Sequence, residues 1–270
     1  MGKPGRRMLA DHIGRLVREH GVELVVCNAE NTAGGSGLTP PLYHKLLKYG
    51  VDVMTLGDHV YRKREIAEVL KTAENIVRPA NLSAKAAGRR WTVVPTKSGK
   101  DRVAVACLLG QMFMGSADSP WAAAEQILTE LPRDVKIRVI DFHAEASSEK
   151  IAMGWLLNGR ASIVFGTHTH IPTADAAILD GGTAFISDLG MTGPYDSVLG
   201  RRKDRVLEAL TTSMPTPFLV ARDDPRLYGL LVGVDPATGR ATEIEQIVVK
   251  GTIEPAEGEE EGNEANDPDR

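Results

Sequence analysis

The segment Gly166-Thr167-His168-Thr169-His170 places two histidines two residues apart, directly after the apolar run Ser162-Ile163-Val164-Phe165. An apolar run closed by a glycine reads as a buried strand. Imidazoles leaving its C-terminal end can enter the crevice where open α/β sheets bind ligands. Three more strand-like runs end in the same way. Lys136 to Phe142 ends at His143-Ala144-Glu145, Val51 to Leu56 at Gly57-Asp58-His59, and Val22 to Cys27 at Asn28-Ala29-Glu30-Asn31. A dinuclear hydrolytic site needs several such nitrogen and oxygen donors around ions about 3.5–4 Å apart, and these donor types suit zinc, manganese or iron. Glu30, Asn31, Asp58, His143, His168 and His170 are therefore the candidate metal ligands. His59 adjoins a candidate ligand and carries a side chain that titrates near neutrality, which makes it the candidate proton donor.

Each piece alone has an ordinary reading: a structural His-x-His, a turn at Gly57-Asp58, a capped polar loop at Asn28 to Asn31. Their joint occurrence at four strand ends favours the metal centre. His12, His20 and His44 fall on helix-like stretches and read as structural or exposed. The loop Gly34-Gly35-Ser36-Gly37 lacks the Gly-Lys-Ser/Thr ending of a phosphate-binding P-loop and is read as rim.

The elements that must position these residues alternate early in the chain. Residues 5–20 read as a helix, 22–27 as a strand, Pro40 to Tyr49 as a helix capped by Thr39, 51–56 as a strand and 63–72 as a helix. This alternation argues for a parallel or mixed sheet covered by helices. Trp91 to Pro95 and Arg102 to Leu108 then form a hairpin through Lys97-Ser98-Gly99-Lys100. Helices follow at 121–131, 147–157 and 201–212. Strands follow at 136–142, 162–166, 183–187, 216–222, 227–234 and 241–249, the last two joined at Pro236-Ala237-Thr238-Gly239. The pattern predicts two sheets packed together with helices outside.

Composition sets the outer bounds. The chain has 270 residues, 42% of them hydrophobic and 25% charged, with a formal net charge of -4. Residues 254–270 hold eight acids and one base, so the remaining 253 residues are net +3. The tail has no large apolar residue and is expected to be disordered; one domain is expected over residues 1–253. No basic stripe suggests a reader of duplex nucleic acid. No stretch approaches the ~20 apolar residues of a membrane span, and no signal peptide opens the chain. The expectation is a soluble cytoplasmic protein with two buried, reduced thiols, Cys27 and Cys107.

The strings Asn28-Ala29-Glu30-Asn31, Gly57-Asp58-His59, Val77-Arg78-Pro79-Ala80-Asn81, Asp141-Phe142-His143-Ala144-Glu145-Ala146, Gly166-Thr167-His168-Thr169-His170 and Asp188-Leu189-Gly190-Met191-Thr192-Gly193-Pro194 occur together. On them the chain resembles calcineurin-like metallophosphoesterases, and within these the bacterial 2',3'-cyclic-nucleotide 2'-phosphodiesterase family, from Met1 to about Lys250. The resemblance implies an α/β fold, a four-layer α/β/β/α sandwich. It implies two metal ions per chain, iron or manganese. Glu30 would bridge them, with Asn31 and His170 on the first ion and Asp58, His143 and His168 on the second. His59 would be the proton donor.

Relatives begin with a strand ending Gly-Asp-Val-x-Gly-x-Pro-Gly, whose Asp binds the first metal. This chain opens inside that motif, at Met1-Gly2-Lys3-Pro4-Gly5, so the expectation is that the native start lies upstream. At position 58 some relatives have Asn; the carboxylate of Asp58 is kept as a ligand. The implied activity is hydrolysis of a cyclic nucleotide, 2',3'-cyclic with 3',5'-cyclic as a further candidate, by attack of a metal-bound hydroxide. Tyr195, in the segment bordering the pocket, is a candidate platform for the base. Two alternatives stay open: a phosphomonoesterase or phosphoprotein phosphatase on the same site, and a truncated, catalytically weakened regulatory protein. Expected partners are small phosphoesters, with neither duplex nucleic acid nor membrane, and a homo-oligomer stays open.

Overall fold

The computed structural model describes residues 1–251; the acidic tail expected at 254–270 and the domain limit at 253 lie outside the described residues. In chain order the elements are α1 (Gly2–His20), β1 (Val26–Asn28), α2 (Pro40–Tyr49), β2 (Val53–Thr55), α3 (Ile66–Thr72), β3 (Ile76–Val77), β4 (Trp91–Pro95), β5 (Arg102–Leu109) and α4 (Pro120–Glu130). There follow β6 (Ile137–His143), α5 (Ser147–Leu156), β7 (Ile163–Thr167), β8 (Ala177–Ile178), β9 (Ala184–Ile186), β10 (Gly193–Pro194), α6 (Lys203–Thr212), β11 (Pro225–Val234) and β12 (Ala241–Lys250).

Three hydrophobic clusters define four layers. The first lies between the six-stranded sheet, ordered β4-β5-β6-β7-β9-β8, and helices α4 and α5; Leu108, Phe142, Ile127 and Met153 fill it. The second lies between β1-β2-β3 and helices α2 and α3, around Leu46, Met54 and Leu70. The third is the sandwich interior, where Val53 of one sheet meets Val105, Val139, Phe165 and Ile186 of the other. Because side chains alternate across a strand, β5 sends Val103 and Val105 inward and Ala104, Ala106 and Leu108 towards the helices. The result is the expected α/β/β/α sandwich.

Strands β5, β6, β7 and β9 run parallel, with β4 and β8 antiparallel at the edges. All parallel strands therefore deliver their C-terminal ends to one rim. The expected two sheets are three, because β10-β11-β12 forms a separate antiparallel sheet. The expected strand at 216–222 is absent. Its Pro215 and Pro217 lack ladder donors, and only an isolated bridge between Val220 and Arg201 forms there. Helix α1 starts three residues earlier than read, with Pro4 tolerated in its first turn. Thr39 precedes α2 but makes no side-chain cap. Both thiols are free; Cys107 is buried, whereas Cys27 is only half-buried. Among the described residues β1 pairs with β2 alone, and its three residues are half-buried while those of β2 are buried. His12, His20 and His44 lie on α1 and α2, away from the rim. No helix of the described residues is long and apolar enough to cross a membrane.

Candidate metal centre

The four ligand-bearing segments meet at the C-terminal rim. Glu30, Asp58, His143 and His168 each offer a ligand atom, all within 4.8 Å of one another. His143 Nε2 is the hub, 3.0 Å from Glu30 Oε1, 3.0 Å from Asp58 Oδ1 and 3.0 Å from His168 Nδ1. Asn31 and His170 stand beside them, with Asn31 Nδ2 3.1 Å from His170 Nε2 and 3.4 Å from Glu30 Oε1. His59 closes the group: its backbone N–H donates to Glu30 Oε2 (3.1 Å), and its Nδ1 lies 3.0 Å from Asn31 Oδ1. All seven residues read from the sequence are thus neighbours.

Each of the three candidate ligand histidines turns its second ring nitrogen to an oxygen outside the cluster. His143 Nδ1 meets Thr167 Oγ1 (2.8 Å), His168 Nε2 meets Glu145 Oε2 (3.1 Å), and His170 Nδ1 meets the Leu199 carbonyl (3.0 Å). An imidazole that donates one N–H outward presents the other nitrogen's lone pair inward, which is how proteins orient metal-binding histidines. The strand register builds the first of these pairs, since Thr167 is the cross-strand partner of His143. Thr167 in turn donates to Asp141 Oδ1 (2.6 Å). The other oxygen of Asp141 accepts from Thr55 Oγ1 (2.5 Å) and Asn28 Nδ2 (3.0 Å), themselves a register pair on β1 and β2. Asp141 is fully buried and ties both sheets to the histidine that serves as hub.

Glycines make room for the cluster. A Cβ on Gly57 would lie 2.2 Å from Glu30 Oε2 and 2.4 Å from His143 Nε2, inside the donor set itself. A Cβ on Gly166 would lie 1.8 Å from the Ser187 carbonyl, so the strand leading to His168 passes the neighbouring chain only as glycine. Beyond it, His168 and His170 hold positive φ values of 94° and 64°. Such residues cost of order 1–3 kcal/mol each and need surroundings that enforce them. Asp188 supplies this by accepting from Thr169 N (3.1 Å) and Thr169 Oγ1 (2.6 Å). Lys150, 2% exposed like Asp188, pairs with that carboxylate at 2.7 Å.

The electrostatics match a cation site. Burial works against the charge on His143, but the Glu30 carboxylate and the hydrogen bonds that His143 donates to Asp58 and Glu30 raise its pKa to about 10. Burial would raise Glu30 and Asp58, yet the neighbouring histidines hold both below the usual carboxylate range. The proton on His143 Nε2 therefore stands between two carboxylates, where a divalent ion would satisfy the same charges. Burial pushes His170 down to about 4, so it is neutral, with its Nε2 lone pair turned to the Asn31 amide. The donor set, the gap opposite Gly57 and the outward-tied ring nitrogens all fit a metal.

A family model described as YmdB-like protein matches residues 1–247. The chain belongs to the YmdB-like family. It is 40% identical over 249 residues to a Bacillus subtilis protein named 2',3'-cyclic-nucleotide 2'-phosphodiesterase, spanning 92% of this chain and 94% of that one. A crystal structure of a Thermus thermophilus protein superposes with a TM-score of 0.86 at 34% identity, over 93% and 96% of the two chains. A Mycoplasma pneumoniae structure described as a novel phosphatase gives 0.86 at 31% identity, over 92% and 90%.

Within this YmdB-like chain, Tyr195 does not join the cluster. Its ring packs on Tyr228 at 5.0 Å and under the Arg226 guanidinium at 4.9 Å, and its hydroxyl donates to the Met191 carbonyl (3.0 Å). The Gly34 to Gly37 loop is held by Arg201, whose guanidinium donates to the carbonyls of Gly34 (3.0 Å) and Gly35 (2.7 Å). Sequence reading left Asp141, Glu145, Thr167, Lys150 and Asp188 without roles. All but Lys150 stand inside the quoted motifs, two residues or fewer from a ligand or in the Asp188-Leu189-Gly190 string. Lys150 carried no signal beyond its place on α5, because only the fold brings it under the His168–His170 turn.

Proposed function

We propose that this chain is a metal-dependent phosphodiesterase that opens 2',3'-cyclic nucleotides at the 2' bond and leaves a 3'-phosphate. The observation that carries the reading is the set of three histidines with outward-tied ring nitrogens facing Glu30 and Asp58. The name of the Bacillus subtilis relative supports the choice of a cyclic phosphodiester.

Glu30, Asp58, His143 and His168 would hold one ion, and Asn31 and His170, sharing Glu30, would hold a second; iron and manganese suit these donors. When bound, the metal supplies Lewis acidity and offsets the charge of the phosphodiester. The remaining work falls to the chain. Asn31 Oδ1 accepts from His59 Nδ1, because the Asn31 amide nitrogen already faces Glu30 and His170. That leaves His59 Nε2, 3.4 Å from Asp58 Oδ2 and on a side chain 26% exposed, to hand a proton to the departing 2' oxygen. Asp188 and Lys150 keep the His168–His170 turn in place, and Asp141 with Thr167 keeps the His143 ring in one orientation.

The test is turnover of 2',3'-cyclic AMP, 3',5'-cyclic AMP and a phosphomonoester by the metal-loaded chain, with products resolved by chromatography. Formation of 3'-AMP from the 2',3'-cyclic substrate as the fastest reaction is expected. Faster monoester hydrolysis would favour the phosphatase alternative, and no turnover of any of them by metal-replete protein would favour the regulatory one.

A further inference from the structure

A second concave site lies at the opposite end of the six-stranded sheet. Its cavity volume is about 460 Å³, within the range of small-molecule sites. Lys136 and Arg138 border it at the start of β6, Arg160 enters just before β7, and Arg240 comes from the β11–β12 turn. Strand β6 separates it from His143, so seven residues at ~3.3 Å each put the two sites about 20 Å apart.

Among the described residues the charge of this cleft is uncompensated. No carboxylate lines it among the described residues. Arg160 makes a two-pronged pair with Glu125 at 2.6 Å and 2.6 Å, just outside. Arg138 uses its guanidinium only on backbone carbonyls, those of Val135 (3.4 Å) and Arg160 (3.3 Å). The side chains of Lys136 and Arg240 have no hydrogen bond or ion pair among the described residues. Three of the four cations thus lack a carboxylate partner among the described residues. The fold brings the two segments together: Gly239 sits so tightly on Lys136, just before β6, that an added Cβ would lie 2.3 Å from its carbonyl oxygen. Like charges gathered in a concave place repel one another and focus a positive potential on whatever enters.

The glycines in the walls do not serve as backbone donors. Gly159 N is taken by Thr183 Oγ1, Gly181 N by Asn158 Oδ1 and Gly239 N by the Asp235 carbonyl. Recognition therefore falls to the cationic side chains, which suit adjacent phosphate groups.

From this geometry we infer that the Lys136–Arg138–Arg240 cleft binds a compact anion with adjacent phosphates, separately from the metal centre. A nucleoside diphosphate and inorganic pyrophosphate share that chemistry. The inference is independent of the reaction assigned to the metal centre.

The experiment is calorimetric titration of the metal-free full chain with pyrophosphate and, separately, with ADP. One molecule bound per chain is expected, with affinity falling as salt rises. A Lys136→Ser/Arg240→Ser variant with unchanged Tm is expected to bind about tenfold more weakly or worse. Asp58→Ala, which removes a candidate ligand from the metal centre, is expected to bind as the parent does. ADP binding more tightly than pyrophosphate identifies a nucleotide site, and equal affinities identify a site for the phosphates alone. The single variant Arg138→Gln provides a second probe if the double variant loses its fold. The inference is overturned if the parent chain binds neither probe below about 1 mM, if the cleft variants bind as tightly as the parent, or if Asp58→Ala abolishes binding.

Discussion

Thr167→Val tests whether the His143 ring is set by its contact outside the cluster. The substitution keeps the shape of the side chain and removes the one oxygen that joins His143 Nδ1 (2.8 Å) to Asp141 Oδ1 (2.6 Å). Both groups are buried, with His143 1% and Asp141 0% exposed. A buried polar group left without its partner costs about 1–3 kcal/mol. Asp141 keeps Thr55 and Asn28, so its loss lies at the low end, whereas His143 Nδ1 keeps nothing. The chain is expected to lose about 2–4 kcal/mol of stability by urea denaturation. Loss of an outer partner of a metal-binding histidine typically weakens binding by about 10–100-fold. That is the loss expected for manganese in competition with a chromogenic chelator. Thr167→Ser restores the oxygen and is expected to recover both quantities. Manganese affinity within about twofold of the parent, in a folded Thr167→Val chain, would refute the reasoning.

Five other outcomes follow from the same geometry. Metal uptake must displace the proton that holds His143 at a pKa of about 10. Affinity is therefore expected to rise about tenfold per pH unit between roughly pH 7 and 9, with one proton released per ion; titration in buffers of different ionisation enthalpy counts that proton. Because the folded pKa is raised above the ordinary 6.5, the stability that the metal-free chain draws from this group is complete below 6.5 and is lost as pH rises through about 10, which melts at pH 7 and pH 10 would reveal. Gly57→Ala puts a methyl group 2.2 Å from Glu30 Oε2, so elemental analysis is expected to find less metal at unchanged helical signal. His59→Ala is expected to retain its metal and to lose about 10²–10⁴-fold in turnover of the cyclic substrate; equal loss of metal and rate would remove the donor role. Lys150→Met strands a carboxylate that is 2% exposed and is expected to cost about 3–5 kcal/mol in urea melts, with manganese affinity falling as the His168–His170 turn loosens.

What was legible in the sequence is what depends on chain-local pattern. Apolar runs closed by polar strings gave the strand ends, so Glu30, Asn31, Asp58, His59, His143, His168 and His170 could be named before any packing was known. The expected strand at 216–222 failed because hydrophobicity cannot offset Pro217 within it and Pro215 just before it, neither with a ladder donor. The layers were legible from alternation, but the separation of β10-β11-β12 into its own sheet was not, since it depends on pairings across more than 30 residues. Tyr195 looked available because sequence gives no sign that Tyr228 and Arg226 occupy its ring.

The residues that sequence reading missed share one physical property: each acts on another side chain. Asp141 carries a hydrogen bond through Thr167 to His143, and Lys150 acts through Asp188 on the turn at Thr169. A ligand advertises itself by residue type at a strand end. Its support comes from whichever strand or helix the register sets alongside, here β7 beside β6 and α5 beneath the turn. Two non-glycine residues at positive φ, each a candidate ligand, show why that support is needed. The local strain of His168 and His170 lasts only while Asp188 and Lys150 hold Thr169 between them, so the geometry of the centre is a property of the buried ion pair as much as of the ligands.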